Sequence, residues 1–243
     1  MANVYLITGA SSDVGIALIR RLYKEGDIFI TQGAGDLSGL APLCQEFKGA
    51  IKTYDVDLTD NEARDLFIKD IAARYPTPTH IVHLPALRVV NKKFKAFDEE
   101  RFALDMNVQV NSAVHICKTF LPLMAKAKSG RVLFMLTSYI LGVPPKNTAA
   151  YIMAKSALQG LAKSLAADYA PNGVTVNCIA PYMMETKFLS ETSDLIVEAS
   201  AQANPMGRNA RVSDVVPAMA FLLSEEAAFI TGVTLPITGG SAF

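Results

Sequence analysis

Seven short apolar runs, separated by stretches with helical character, constrain the fold of this 243-residue chain most strongly. The runs are rich in valine, isoleucine and leucine and show little polar alternation, which is typical of strands buried on both faces. They cover residues 3–8, 27–32, 51–56, 80–84, 132–138, 173–180 and 232–238. Because strands that alternate with helices form right-handed β-α-β units, we predict an α/β fold: a doubly wound parallel sheet of about seven strands with helices on both faces.

Six helices are predicted between these strands, and several have N-terminal signals. They cover residues 14–25, 37–47, 60–74, 99–127, 148–170 and 215–223. Thr59 begins a capping-box pattern, and Asp98 and Ser213 are N-cap candidates. Segment 181–211 is the least regular part of the chain, and we predict that it forms a mobile flap. Since no linker, repeat or low-complexity tract interrupts the pattern, residues 1–243 are predicted to form a single domain.

The first predicted strand ends in a turn of small residues, and a helix follows directly. The turn consists of Thr8, Gly9, Ala10, Ser11, Ser12, Asp13, Val14 and Gly15. In an open α/β sheet such a turn binds the pyrophosphate of a dinucleotide, because backbone N–H groups and the helix N-terminus face the phosphates. A generic strand–helix turn is the alternative, since glycine patterns alone have low specificity.

A second group of chemically active side chains lies between Ser138 and Lys155. Tyr151 and Lys155 are four residues apart on the helix predicted over 148–170, so they share one helix face. A phenol titrates near ~10 in water, and a neighbouring cation lowers that pKa by favouring the phenolate. Ser138, at the end of a buried strand, is placed to face the tip of the phenol. These residues suit general acid–base chemistry, and a chance Y-x-x-x-K pair on an ordinary helix is the alternative.

Together the motifs resemble those of the short-chain dehydrogenase/reductase family, and the likeness runs from about residue 4 to residue 240. The family's T-G-x-x-x-G-x-G turn is matched by Thr8, Gly9 and Gly15, its serine by Ser138 and its Y-x-x-x-K pair by Tyr151 and Lys155. Further matches are Asp57 and Leu58 after the third strand, Asn107, Asn177, Pro181, Thr186 and the closing Thr238, Gly239 and Gly240.

The resemblance implies a Rossmann-like domain that binds NAD or NADP, similar to 3-oxoacyl-carrier-protein reductases. In that family Tyr151 would donate a proton to a carbonyl, and Lys155 would lower the phenol pKa and hold the nicotinamide ribose. Ser138 would orient the carbonyl oxygen, and Asn107 would hold a water in a proton relay. The implied cofactor contacts are Thr8, Gly9, Ser11, Ser12, Asp13, Val14, Gly15, Asp57, Leu58, Tyr151, Lys155, Pro181 and Thr186.

Four departures from the family pattern bear on cofactor binding. Asp13 replaces the middle glycine of the turn, so its carboxylate either repels the pyrophosphate or caps the following helix and points away. Residues 83–86, His-Leu-Pro-Ala, replace the family's N-N-A-G, and His83 is expected to be a satisfied core histidine. Tyr182 replaces a usual glycine. After the second strand, Asp36 is the candidate to bind the ribose 2′-hydroxyl, although it lies beyond the strand end. No arginine or lysine is present there to bind a 2′-phosphate, so the choice between NAD and NADP stays open.

Composition argues against several other classes of protein. Lys+Arg and Asp+Glu both number 23, and a zero net charge does not suit nucleic acid or an anionic membrane as the main partner. No apolar run reaches transmembrane length, and no signal-peptide pattern is present. Cys44, Cys117 and Cys178 show neither paired nor metal-ligand spacing, and we interpret them as core thiols of a reducing compartment. We therefore expect a cytoplasmic protein without a metal.

The leading interpretation is an NAD(P)-dependent oxidoreductase with a small-molecule carbonyl or alcohol substrate. One alternative is a binding or regulatory protein on the same scaffold with impaired cofactor affinity. Asp13 and the altered 83–86 loop favour this alternative, and the intact catalytic set opposes it. Another alternative is a lyase or epimerase that uses the same tyrosine without net redox change.

Substrate binding and assembly are also predicted from the apolar residues. Ile140, Leu141, Val143, Pro144, Met183, Met184 and Leu189 suggest an apolar substrate pocket, with core packing as their alternative role. Helices 99–127 and 148–170 resemble those that pair between subunits in the family. We therefore expect a homo-oligomer, a tetramer or a dimer.

Overall fold

A computed structural model describes residues 2–242 as an α/β fold around a seven-stranded parallel sheet. The strands are β1 Val4–Thr8, β2 Ile28–Gly33, β3 Ile51–Asp55, β4 His80–His83, β5 Gly130–Met135, β6 Val174–Pro181 and β7 Thr234–Ile237. Their spatial order is β3-β2-β1-β4-β5-β6-β7, and every neighbouring pair is parallel. The order of the strands reverses between β1 and β4, which is the switch point of the doubly wound sheet. This confirms the predicted fold class.

Helices cover both faces of the sheet. They are α1 Asp13–Leu22, α2 Ala41–Glu46, α3 Asn61–Arg74, α4 Glu99–Met106, α5 Ser112–Ala127, α6 Ala149–Tyr169, α7 Asp194–Ala203 and α8 Val212–Leu222. One apolar core packs α3, α5 and α6 against the sheet, and a second core packs α1, α2 and α8 against the opposite face. Because both faces are covered, strand side chains are buried on either side, which explains the missing polar alternation in the sequence.

The helix predicted over 99–127 is divided into two. A single π-helical turn, Asn107–Asn111, separates α4 from α5. Such insertions are rare and are frequent at functional sites. Apolar spacing did not reveal this turn, because the residues on either side of it keep an ordinary helical pattern.

The flap, residues 181–211, is more regular than predicted. It contains α7, and two side chains attach that helix to the rest of the flap. Tyr182 Oη donates to Ser200 O at 2.9 Å, and Asn209 Nδ2 donates to Val197 O at 2.9 Å. The prediction of irregular chain was wrong over 194–203, because α7 buries no residue completely and therefore lacks a strong apolar pattern.

The structure corrects two predicted helix N-caps and the predicted burial of one cysteine. Asp98 is the N-cap of α4 as predicted, but α3 is capped by Asp60 rather than Thr59, and Ser213 lies inside α8. Two of the three cysteines are buried thiols, whereas Cys44 is exposed because it lies on the solvent side of the short helix α2.

Within residues 2–242 no helix combines the length and the apolar character that a membrane span requires. The same residues contain no group of three histidine, cysteine, aspartate or glutamate side chains placed to hold a metal ion.

Two buried histidines join the sheet to its surroundings. His80 Nε2 lies 3.1 Å from Leu223 O, and His83 lies between Thr8 Oγ1, at 2.7 Å, and Gln109 O, at 3.0 Å. Burial lowers the pKa of His80 to about 4 and the pKa of His83 to about 3, because an imidazolium loses its hydration there. Both rings are therefore neutral at pH 7. His83 is the satisfied core histidine that the sequence predicted.

We expect the free energy of unfolding to fall as pH drops below about 6.5, where histidines of the unfolded chain take up protons. In the folded chain the two rings stay neutral down to about pH 4. In that window each histidine lowers the free energy of unfolding by up to about 1.4 kcal/mol per pH unit. Denaturant titrations over this range check the slope, and His83→Gln should reduce it by about half. The same slope in both proteins would contradict the assignment.

Candidate active site

The candidate active site lies along the carboxyl edge of the sheet, where ligands bind in doubly wound folds. The turn after β1, the loop after β4, the turn after β5 and the flap after β6 all leave the sheet at this edge. α6 brings Tyr151 and Lys155 to the same place. Lys155 Nζ donates to the carbonyl oxygen of Met135, the last residue of β5, at 2.7 Å.

The turn after β1 is tightly packed, and space requires glycine at two positions. Gly9 has a φ of +67°, and a Cβ atom on it would lie 2.9 Å from the nitrogen of Pro85. A Cβ atom on Gly15 would overlap the carbonyl group of Ala10. Ser12 is the N-cap of α1, and its Oγ accepts from Gly15 N at 3.1 Å. The turn therefore has the close backbone packing and the helix N-terminus that suit a pyrophosphate.

Asp13 does not have the capping role that the sequence allowed, since Ser12 caps α1. Asp13 is the first residue of α1, and its Oδ2 accepts a hydrogen bond from Lys187 N at 2.8 Å. Lys187 belongs to the flap. The Asp13 carboxylate therefore attaches the turn after β1 to the flap, and no motif in the sequence indicated this contact.

The remaining predicted cofactor contacts lie along the same edge. Thr8, Val14, Leu58 and Pro181 are buried, Ser11 and Thr186 are half-buried, and Asp57 is exposed. Asp57 Oδ1 accepts from Thr59 N at 2.8 Å and so shapes the turn after β3. Thr186 precedes the short 3₁₀ turn Lys187–Leu189 but makes no side-chain cap bond to it.

Tyr151 and Lys155 are one helical turn apart, with Lys155 Nζ 5.7 Å from the centroid of the tyrosine ring. Lys155 is 1% exposed. Burial lowers the pKa of Lys155 to about 7, and the negative charge of Asp105 opposes this decrease. The ammonium is therefore close to losing its proton at neutral pH.

Burial raises the pKa of Tyr151 above the usual value for a phenol, with a smaller increase from neighbouring Tyr139 and Asp105. A hydrogen bond with the Thr137 side chain opposes the increase. The prediction counted a neighbouring cation and not the loss of hydration, which is the largest effect on this pKa. The Lys155 ammonium donates to the Met135 carbonyl. The phenol is therefore protonated at neutral pH and able to donate.

Two hydroxyl groups lie at the end of β5. Ser138 is 6% exposed and begins a short 3₁₀ turn, three residues after the strand ends at Met135. Thr137 is equally buried, and its side chain interacts with Tyr151. The sequence analysis missed Thr137, because nothing in the local pattern distinguishes it from the residues before it.

The Asn107 amide faces another amide of the π turn. Its Oδ1 accepts from Nδ2 of the exposed residue Asn111 at 2.6 Å. The ammonium of Lys155, which the resemblance placed near Asn107, has the Met135 carbonyl as its hydrogen-bond acceptor.

Gln109 is the buried amide of the π turn, and the sequence analysis did not single it out. It is 0% exposed, and its Nε2 donates to Asp105 Oδ1 at 3.3 Å. Its Oε1 is buried without a hydrogen-bond partner among the residues that the structure describes. An orphaned buried acceptor costs free energy unless a water or another donor satisfies it. Gln109 lies within the π turn Asn107–Asn111, and Val108 and Val110 beside it are buried as well.

A cleft beside Tyr151 is lined by charged side chains as well as apolar ones. It encloses about 440 Å³, its open mouth included, between the loop after β4, α4 and the start of α6. Its lining consists of Arg88, Val89, Val90, Lys92, Phe97, Asp98, Arg101, Asp105, Asn147, Ala149, Ala150 and Tyr151. None of the seven apolar residues predicted to form a pocket lines this cleft. The loop after β4 supplies half of the lining residues, and sequence patterns did not connect that loop with the tyrosine.

A second cleft lies between Arg88 and the flap, and it includes Leu189 from the predicted apolar set. The Arg88 guanidinium donates to Ser190 Oγ and lies 3.3 Å from a carboxylate oxygen of Glu191. The flap is thus held on this side as well as at Asp13.

Known proteins with similar sequences include several reductases. A family model described as enoyl-(acyl carrier protein) reductase matches residues 9–242. The chain is 28% identical to a 3-oxoacyl-[acyl-carrier-protein] reductase of Haemophilus influenzae, over 98% of this chain and 97% of the relative. It is 27% identical to an acetoacetyl-CoA reductase of Allochromatium vinosum, over 99% of this chain and 98% of the relative.

Solved structures with the same fold include proteins with a nicotinamide cofactor. A putative NAD(P)-dependent gluconate 5-dehydrogenase from Beutenbergia cavernae, with bound NADP, has a TM-score of 0.89 at 25% identity. The alignment covers 99% of this chain and 97% of that chain. An NAD⁺-bound xylitol dehydrogenase has a TM-score of 0.86 at 25% identity, with 98% of each chain covered.

The switch-point turn and the tyrosine–lysine pair at one sheet edge define an oxidoreductase of the short-chain dehydrogenase/reductase class. The family match over residues 9–242 shows that the chain belongs to this family.

Proposed function

We propose that this protein is an NAD(P)-dependent oxidoreductase that interconverts a carbonyl and a secondary alcohol, with Tyr151 as general acid and base. The observation that carries the proposal is the position of Tyr151, Lys155 and Ser138 at the carboxyl edge of the sheet, the edge at which the turn after β1 also lies. A protonated phenol in that position suits donation to a carbonyl oxygen. The reductases and dehydrogenases among the relatives support the same class of reaction.

NAD or NADP is the cofactor in this proposal. Turn residues 8–15 would hold the pyrophosphate, Asp57 the adenine end, and Lys155 and Thr186 the nicotinamide end. The packing of the turn fits this role, because no side chain beyond Cα is tolerated at its two glycines. Asp13 is the residue whose charge opposes the phosphates. When bound, NAD(P)H supplies the hydride that reduces the carbonyl carbon.

In carbonyl reduction Tyr151 Oη gives its proton to the carbonyl oxygen as negative charge develops on that oxygen, and the alcohol forms. Lys155, one turn away, stabilises the phenolate that remains. The hydroxyl groups of Ser138 and Thr137 donate hydrogen bonds to the developing oxyanion. Alcohol oxidation uses the same groups in reverse, with the phenolate as base.

The proton relay that the resemblance assigns to Asn107 belongs, in this proposal, to Gln109. The buried Oε1 of Gln109 lacks a partner within the described chain, whereas Asn107 is bonded to an exposed neighbour. A water between Gln109 Oε1 and the Lys155 ammonium would satisfy both groups. A proton from solvent would return to Tyr151 through this water after each reduction.

Hydride transfer on a panel of carbonyl compounds tests the proposed function. Absorbance reports the oxidation of NADH and NADPH with 3-oxoacyl thioesters, sugar-derived ketones and cyclic ketones. Transfer to any of them with either cofactor supports the proposal. Cofactor binding without transfer favours the binding or regulatory alternative. Product formation without net cofactor consumption favours the lyase or epimerase alternative.

We also propose that the protein is a homo-oligomer, a dimer or a tetramer. Val114 and Leu123 on α5 and Met153 on α6 are 37%, 43% and 46% exposed, and these helices resemble those that pair in the family. Light scattering should show at least twice the 26.2 kDa chain mass. Leu123→Glu should reduce that mass, and Leu66→Glu, an equivalent change on α3, should not. A stable wild-type monomer at micromolar concentration would contradict the proposal.

A cytoplasmic location is a further proposal and rests on thiol chemistry. Cys44, Cys117 and Cys178 are all free thiols. Free thiols persist in reducing compartments.

A further inference from the structure

Asp13 connects two parts of the site that are far apart in sequence. It is the first residue of α1, and its Oδ2 accepts the N–H of Lys187, in the flap, at 2.8 Å. The helix itself does not require this carboxylate as a cap, because Ser12 Oγ already accepts from Gly15 N at 3.1 Å. The contact therefore serves the flap rather than α1.

The Asp13 carboxylate holds the flap through the backbone N–H of Lys187. Lys187 begins the short 3₁₀ turn Lys187–Leu189, and Thr186 before it makes no side-chain cap bond. The Asp13 carboxylate takes the position of that cap, with a charge-assisted hydrogen bond.

The side chain of Lys187 also lies towards an acidic group. The pKa of Asp36 is lowered mainly by hydrogen bonds from Ser38 and in smaller part by the Lys187 ammonium. Asp13 and Asp36 follow β1 and β2 at the carboxyl edge. Lys187 therefore lies near two acidic residues, Asp13 and Asp36, on the half of the edge where a dinucleotide binds in this fold.

We propose that Asp13 determines dinucleotide affinity: its carboxylate, on the first residue of α1, holds the Lys187 N–H of the flap beside the turn that suits a pyrophosphate, and must move away when a pyrophosphate binds. This inference rests on the proposed function, because it takes NAD or NADP as the ligand.

Two physical effects act in the same direction. The Asp13 carboxylate already accepts the Lys187 N–H, so a phosphate oxygen that approaches this donor competes with it. Like charges at contact distance also repel each other, and the repulsion is stronger where water is excluded. Asp13 thus weakens cofactor binding relative to a chain with glycine at this position. It also couples cofactor binding to release of the flap.

Two variants of Asp13 separate charge from hydrogen bonding. Asp13→Asn keeps an acceptor oxygen for Lys187 N but loses the charge, and Asp13→Gly loses both. Fluorescence titration with NADH and with NADPH gives the dissociation constants. We expect both variants to bind the better of the two nucleotides on the order of 10-fold more tightly than the wild type.

Hydrogen–deuterium exchange of the cofactor-free proteins measures the flap contact without any activity. The Lys187 amide should exchange faster in Asp13→Gly than in the wild type, and close to the wild-type rate in Asp13→Asn. Glu99→Gln is the matched control, because Glu99 is an exposed acidic residue at the first position of another helix, α4, outside the flap. It removes a charge from a helix N-terminus and should change neither the dissociation constant nor the exchange of Lys187.

Three outcomes overturn the inference. The inference is wrong if both Asp13 variants bind NADH and NADPH with the dissociation constants of the wild type. In that case the binding of nucleotide by the wild type would still support the proposed function. Equal Lys187 exchange in Asp13→Gly and wild type means that the carboxylate does not hold the flap. If neither the wild type nor the variants bind either nucleotide while thermal melting shows folded protein, this inference and the proposed cofactor both fail.

Discussion

Replacing Tyr151 by phenylalanine is expected to lower turnover by ~10²–10⁴-fold or more while the fold is kept, because general acid–base catalysis contributes about that much. The change removes one oxygen and leaves the ring at the start of α6. The phenol is the only group proposed to give the proton to the carbonyl oxygen. A single hydrogen bond of the phenol contributes only about 1 kcal/mol to stability. The melting temperature should therefore shift little.

Steady-state rates and nicotinamide titration measure the effect of Tyr151→Phe. Tyr169→Phe makes the same chemical change at the last residue of α6, far from the reacting groups, and should keep wild-type turnover. If Tyr151→Phe is folded and almost fully active, the proton moves through another group. The family membership would then describe only the fold.

Wild-type alcohol oxidation provides a pH test of the same residue. The phenolate is the base, so the rate should rise with pH as the phenol ionises. Because burial raises the pKa of Tyr151, the increase should continue into the alkaline range rather than level off near neutrality. A rate that levels off near pH 7 would mean that binding of the cofactor lowers this pKa.

Lys155→Met is expected to reduce both turnover and cofactor affinity, and this double effect distinguishes it from the tyrosine variant. The ammonium is proposed to stabilise the phenolate and to contact the nicotinamide ribose. Loss of a charge-assisted hydrogen bond should weaken cofactor binding by roughly 10-fold or more. Loss of the cation beside the phenolate should lower turnover by at least ~10²-fold.

The fold should tolerate Lys155→Met, because methionine fills a similar volume in an apolar site and removes an ammonium whose burial is costly. Circular dichroism and thermal melting check this. Lys163→Met is the matched control, since Lys163 is exposed on the same helix. It should leave turnover and affinity unchanged. If Lys155→Met lowers turnover but binds cofactor normally, the proposed ribose contact is wrong.

The sequence by itself determined the parallel sheet and the positions of the reacting groups along it. A strand buried on both faces has an apolar composition that is visible locally, and alternation with helices implies parallel order. Tyr151 and Lys155 share a helix face because four residues separate them, and no tertiary contact is needed for that. Gly9 and Gly15 were recognisable because a tight turn leaves no space for a side chain.

Only the tertiary structure decided which residues of the site contact one another and which pKa values its groups have. The bond from Asp13 to Lys187, the π turn that contains the buried Gln109 and the charged cleft beside Tyr151 all join residues that motif spacing does not connect. The raised pKa of Tyr151 and the lowered pKa of Lys155 follow from burial. A side chain loses its hydration only where elements distant in sequence pack over it. Periodicity and motif order therefore do not predict these pKa shifts.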